Sequence, residues 1–207
     1  MKPFESAPIV PLFHSPLLMH RWPDSDALNA SLRALILERS TSDPGRVRSN
    51  AGGWQSGEDF AAWAGAPGAV LIQRAVEMAN HATAQLLRNV EKTVAFSWQM
   101  AMWANINRRS GFNELHCHPG STWSGVYYVD AGVPEGGGAS GRLRFLNPVA
   151  QQLMSFLSDF TRDHFDVDPA PGMMVLFPSY LQHQVTPHPH DAPRISVAFN
   201  LRKDPYP

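Results

Sequence analysis

The sequence predicts a mainly β protein with flanking helices, its strands arranged as an antiparallel sandwich or barrel. Three observations carry this reading. After residue 92, short apolar or alternating runs (93–107, 121–130, 141–147, 164–167, 172–177, 182–186 and 194–201) are separated by glycine and proline turns, the pattern of strands that pair with their neighbours. Before residue 92, two stretches carry their apolar residues at helical spacing instead. Between them and the later strands lies Gly111–Ser121, an extended run ending in Pro119-Gly120. Alternate side chains of an extended run leave on the same face, so His116 and His118 point one way and Cys117 the other.

The elements follow in chain order. Residues 9–13 and 16–19, apolar but broken by prolines, read as edge strand at a sheet rim. Ala27, Leu28, Leu32, Leu35 and Ile36 then recur at helical spacing behind an aspartate able to cap the first turn. Residues 39–58 show neither period and read as loop, with Trp54 as a lid packed on the core and Gly52–Ser56 able to line a pocket. Ala66-Pro67-Gly68 opens a second helix, whose stripe is Val70, Leu71, Ala75, Met78, Ala79, Ala82 and Leu86 and whose end falls near Asn89. Both helices serve as scaffold over the outer face of a sheet. Within the strand region, residues 148–160 have helical periodicity. The expected organisation is one domain over 1–207, with 1–92 as helical and strand support and 93–207 as the β core.

Composition narrows the function. A net charge of −1 and a pI near 6.7 provide no basic field for nucleic acid or anionic membrane. No apolar run reaches the roughly 20 residues that span a bilayer, and prolines interrupt the apolar start of the chain, so the expected location is cytoplasmic. A single cysteine, Cys117, excludes an internal disulfide and reads as a small buried hydrophobe. Homo-oligomerisation stays open.

The chemistry is concentrated in histidines. Neutral imidazole is the commonest protein ligand for first-row divalent metals, and His116 and His118 need a third ligand from elsewhere; His183, 65 residues beyond His118, is the candidate. Eleven residues later comes Arg194, followed by Ser196. The two share strand parity, so both can face a barrel interior, where a guanidinium fork pairs with a carboxylate and a hydroxyl adds a further bond. Other residues have blander readings. His188 and His190 flank Pro189 in a polar segment and read as exposed loop, and His164 as structural. Trp98, Trp103 and Trp123 read as core, with Trp123 near the site's mouth. One of Tyr127 and Tyr128 should face outward into packing. Asn105, Asn107 and Asn113 offer amides near the site, with no ground for choosing among them.

Six segments together resemble the 2-oxoglutarate- and Fe(II)-dependent oxygenase superfamily, in particular a bacterial family within it. They are HCHPGS (116–121), SGVYYV (124–129), GRLRF (141–145), GMMVLFPS (172–179), HQV (183–185) and RISVAFN (194–200). The resemblance covers about the C-terminal half. It implies a double-stranded β-helix (jelly-roll) core, Fe(II) held by His116, His118 and His183, and 2-oxoglutarate as co-substrate. Arg194 and Ser196 would anchor the distal carboxylate of 2-oxoglutarate, with Tyr128 as a further donor. The reaction implied is hydroxylation of an unidentified substrate by dioxygen. The superfamily pattern is His-x-Asp/Glu…His, and here His118 stands where the carboxylate is expected, which leaves the metal more positive. Glu114, of the same parity as His116 and His118, can supply a carboxylate to the metal or orient a ring nitrogen. Two alternatives accompany this reading: a three-histidine cupin-like dioxygenase that needs no 2-oxoglutarate, and a non-catalytic jelly roll that binds a metal or a small acid.

Overall fold

A computed structural model describes residues 14–87, 96–134, 137–149 and 162–204. The chain order is β1 (Leu18–Arg21), α1 (Asp26–Ser42), β2 (Asn50–Gln55), α2 (Phe60–Trp63), α3 (Gly65–Leu86), β3 (Trp98–His116), β4 (Trp123–Asp130), β5 (Leu143–Leu146), β6 (His164–Val167), β7 (Met173–Pro178), β8 (His183–Val185) and β9 (Arg194–Lys203). The strands follow the order β1-β7-β4-β9-β3-β8-β5-β6, all antiparallel, and β2 adds to β3. This curled sheet is the expected jelly-roll core with helices against it.

β3 is the axis of the curl. Its first part, Trp98–Asn107, pairs with β9, whereas Asn113 and His116 pair with β8. The change of partner falls at Arg108–Ser110, which are exposed, and Ser110 takes a left-handed φ of 66°. A strand cannot bend sharply while every residue stays in the β region, so one residue leaves it and the ladder is interrupted.

Strand parity sorts the core into two layers. On β9 the odd residues Ile195, Val197, Phe199 and Leu201 join Met102, Ala104, Ile106, Trp123 and Tyr127 against Leu32, Ile36, Leu71, Ala75 and Met78 of the helices. Burying such side chains contributes about 1.5–3 kcal/mol each, upper estimates against a partly compact unfolded chain. Inside the curl, Tyr128, Leu143, Phe145, Val175 and Phe177 form a second cluster. Tyr127 therefore faces the helices, where its hydroxyl bonds Asn29 at 2.7 Å, and Tyr128 faces inward.

Several expectations need correcting. Residues 39–58 are not all loop: α1 runs on to Ser42 and Asn50–Gln55 form a strand, bulged between Ala51 and Gly53. Its glycines hide the alternation that marks strands, and its stability comes from the ladder with β3. The α1 N-cap is Ser25, whose hydroxyl donates to Trp22 O at 3.0 Å instead of capping the turn, and Asp26 lies within that turn. Trp54 does pack on the core, with its indole N–H donating to Asp43 O at 2.8 Å. Cys117 is half-buried rather than buried. The expectations for 9–13 and 148–160 lie wholly or mainly outside the described residues. Those for the end of the second helix and the start of the first core strand also fall there.

Candidate metal and co-substrate site

A cavity of about 320 Å³ opens inside the curl, lined among others by His116, His118, His183, Tyr128, Arg194 and Ser196. All six residues singled out from the sequence therefore face one space. His116 and His183 are cross-strand partners on β3 and β8, and His118 follows on the turn after β3. One ring nitrogen from each of the three can be chosen so that all lie within 4.8 Å of one another. His183 sits against the Phe177 ring, 4.8 Å between centroids, and His118 lies 5.9 Å from Trp103.

Backbone carbonyls fix which nitrogen of two of the rings is free. His116 Nδ1 lies 2.7 Å from Glu114 O and His183 Nδ1 lies 2.8 Å from Leu181 O. Each Nδ1 therefore carries the proton and donates it, which leaves each Nε2 lone pair for another partner. Burial, with His116 nearby as a second cause, pushes His118 down to about 4 and His183 down to about 3. His118 and His183 therefore stay neutral at neutral pH and present lone pairs, not charges. Glu114 takes part through its main chain, since its side chain is exposed. The donor set suits a borderline divalent metal: ring nitrogens of three histidines gathered on one concave site.

The same cavity wall also carries an anion-shaped deficit. Arg194 is 2 % exposed. Its Nε donates to Gly141 O at 3.1 Å and its Nη1 lies 3.4 Å from Ser196 Oγ. No carboxylate pairs with it among the described residues; Asp191 is taken by Arg109, at 2.8 and 2.9 Å. The Tyr128 ring lies 5.2 Å from the guanidinium carbon, and the Tyr128 hydroxyl is buried without a hydrogen-bond partner. Burial pushes that phenol up to about 12 against the pull of Arg194, so it stays protonated as a donor. Asn105, which lines the same cavity, also has an unpartnered Oδ1. A buried cation with spare donors beside an unpartnered hydroxyl is costly unless an anion completes it.

The remaining site expectations divide. Asn105 and Asn113 line the cavity, and Asn107 approaches Asn113 at 3.4 Å from behind. Trp103, not Trp123, is the cavity's tryptophan. Trp123 faces the helices, with its indole N–H on Thr83 Oγ1 at 2.9 Å. His188 is fully buried, which overturns the exposed-loop reading, and His190 is half-buried. The segment's polarity concealed this, because His188 satisfies the local main chain. Arg48, Ser49, Gln55 and Glu58, from the stretch around β2, complete the wall. Of these, only Gln55 falls in Gly52–Ser56, the segment expected to be able to line a pocket, and nothing in the sequence pointed to the other three.

A jelly roll whose cavity is lined by three histidines and a buried arginine fits a non-haem metal oxygenase. Residues 101–200 match the model of the family described as "Putative 2OG-Fe(II) oxygenase". That match spans the core that carries His116, His118 and His183, and it supports an oxidoreductase that uses Fe(II) and 2-oxoglutarate. No curated protein matches the sequence. Among solved structures, a Pseudomonas putida prolyl-4-hydroxylase is similar, with TM-score 0.60 and 16% identity over 92% of this chain and 94% of that one. A Trichoplax adhaerens prolyl hydroxylase in complex with a hypoxia inducible factor peptide gives 0.58 and 13%, over 90% and 83%. HygX from Streptomyces hygroscopicus, with nickel and 2-oxoglutarate bound, gives 0.56 and 13%, over 91% and 83%. At these identities the likeness is one of fold.

Proposed function

We propose that the cavity is the active centre, with His116, His118 and His183 as the metal ligands and Arg194, Ser196 and Tyr128 as the binding site for the distal carboxylate of 2-oxoglutarate. Arg194 carries the reading: a fully buried guanidinium without a carboxylate partner, in the same cavity as three histidines. When bound, iron supplies the redox chemistry that couples decarboxylation of 2-oxoglutarate by dioxygen to oxidation of the substrate.

The chain's own residues supply the rest. Main-chain acceptors at Glu114 and Leu181 hold two imidazoles in one tautomer and one orientation. Phe145 and Phe177 wall His183 with apolar surface, which excludes water and strengthens the polar contacts inside. Arg194 and Ser196 offer donors to a carboxylate, and Tyr128 adds its hydroxyl proton. Three imidazole ligands would leave the charge of a bound dication uncompensated, which favours an anionic co-substrate beside it.

The substrate is a small molecule or a peptide, reached from the Arg48–Glu58 wall. Residues 1–92 act in this reading as support and cavity wall for a catalytic core at 93–207, all one domain. A cytoplasmic location belongs to the same proposal: the one cysteine, Cys117, is free, and among the described residues no helix is long and apolar enough to cross a membrane.

Calorimetric titration of the anaerobic Fe(II) protein, or of a redox-inert metal form, tests this directly. A charge-assisted hydrogen bond contributes roughly 1.5–3 kcal/mol, and about 1.4 kcal/mol is tenfold in affinity. Arg194→Met should therefore weaken 2-oxoglutarate binding at least about tenfold while metal binding survives. Absence of binding to the unmodified protein at millimolar 2-oxoglutarate would transfer support to the dioxygenase that needs no 2-oxoglutarate.

A further inference from the structure

We infer that His188 is a positioning residue for the co-substrate site: it holds Gly141, through which the main chain aims the Arg194 guanidinium into the cavity. The inference rests on the assignment of Arg194 to 2-oxoglutarate made above.

The geometry is a relay of short-range contacts. His188 is fully buried. Its Nε2 lies 2.8 Å from Ala192 O, an acceptor only, so Nε2 carries the proton and donates it. Nδ1 is then an acceptor, and the Gly141 N–H donates to it at 3.4 Å. Ser140 Oγ stands 3.3 Å from Nδ1 but gives its proton to Ala131 O at 2.6 Å. The carbonyl of the same Gly141 accepts from Arg194 Nε at 3.1 Å. One residue, Gly141, thus receives the imidazole on its N–H and the guanidinium on its C=O.

The surroundings pin the imidazole from the other side. His188 N donates to Gly111 O at 2.9 Å and Ser110 N donates to His188 O at 2.8 Å. Both partners lie where β3 changes from β9 to β8. Gly132, with φ 65°, passes so near that a Cβ there would lie 2.6 Å from Arg194 N and 2.8 Å from Ala192 O. The chain leading into Arg194 is therefore packed without slack. An arginine that must leave Nη donors free for a ligand needs its Nε held by the protein, since a guanidinium free to rotate loses side-chain entropy on binding. Nothing in the metal site requires His188. Its ring partners are Ser140, Gly141, Ala192 and His190, none of them a ligand histidine.

Side-chain chemistry separates this role from mere packing. Asparagine at 188 places a carbonyl oxygen near the Nδ1 position and can still accept from Gly141 N–H. Glutamine places its amide near Nε2 and can keep only the Ala192 bond. In the zinc-loaded protein, titrated calorimetrically with 2-oxoglutarate, His188→Asn should bind within about threefold of the unmodified chain. His188→Gln should bind about fivefold or more weakly, with zinc stoichiometry unchanged in both. Equal affinities in the two variants, whether both normal or both weak, overturn the inference.

If either variant fails to fold, the unmodified protein still decides. Saturation with 2-oxoglutarate should shift the Gly141 amide and the His188 ring nitrogens in ¹⁵N spectra, and unmoved signals overturn the proposal. Failure of the unmodified protein to bind 2-oxoglutarate at all is a different result, which removes the assignment of Arg194 itself.

Discussion

At the scale of single residues, the site is built by deciding which polar atoms are left over. Three imidazoles keep a lone pair because main-chain carbonyls or burial dispose of their protons elsewhere, and one guanidinium keeps donors because its Nε is already used. His183 tests the first half. It is 5 % exposed and sits at the edge of the inner apolar cluster, so His183→Ala removes one of the three proposed ligands with little loss of core. The variant should retain its far-ultraviolet circular dichroism and lose stoichiometric metal by elemental analysis. Full metal content after purification would show that two histidines suffice and that His183 is not a ligand.

At the scale of elements, parity explains what the sequence could disclose. His116, His118, Arg194 and Ser196 lie in segments with clear alternation, so the face they share can be read without a structure. β2 could not be read that way, because Gly52 and Gly53 occupy the positions that would have alternated and a bulge resets the register. His188 escaped for another reason. Its neighbours are prolines and polar residues, as in a surface loop, and its burial comes from the bend of β3, far away in sequence. The smaller layer has its own electrostatic pin at the cross-strand pair Arg144 and Asp166, with contacts of 2.7 and 2.8 Å. The Arg144 hydrogen bonds, the largest cause, hold the Asp166 carboxyl below its ordinary range. A depressed carboxylate stabilises the fold above the unfolded pKa of about 4, and that stability is lost as pH falls through the folded value. Asp166→Asn should thus cost up to about 1 kcal/mol at pH 7, and the gap to the unmodified protein should narrow as the pH is taken below the unfolded value of about 4. A gap of the same size above and below that value in thermal melts would show that packing, not charge, is responsible.

At the scale of the whole molecule, the proposed ligands tie distant parts of the chain to one point. His116 and His118 come from β3 and the turn after it, His183 from β8. An ion that binds only the folded arrangement stabilises it by mass action, about 2.7 kcal/mol at a hundred times its dissociation constant. For a chain of 207 residues that corresponds to a rise of about 5–10 °C in Tm. Differential scanning calorimetry with and without a chelator should show the rise in the unmodified protein and none in His183→Ala. A rise of equal size in both would place the stabilising ion elsewhere.

The pairing of β3 with β9 runs from Trp98↔Lys203 to Asn107↔Arg194, joining segments that leave the ribosome about a hundred residues apart. Closing so long a loop precedes any reward from the contact, and topologies of this kind fold slowly. During synthesis, His116 and His118 emerge well before either His183 or the strand that carries Arg194. The nascent chain therefore exposes a two-histidine half-site with no barrel around it, able to take up whichever divalent ion the cell offers most freely. Ion selectivity then becomes a question of timing as well as affinity: the correct metal has to enter, or replace an early occupant, once β8 and β9 have closed the curl.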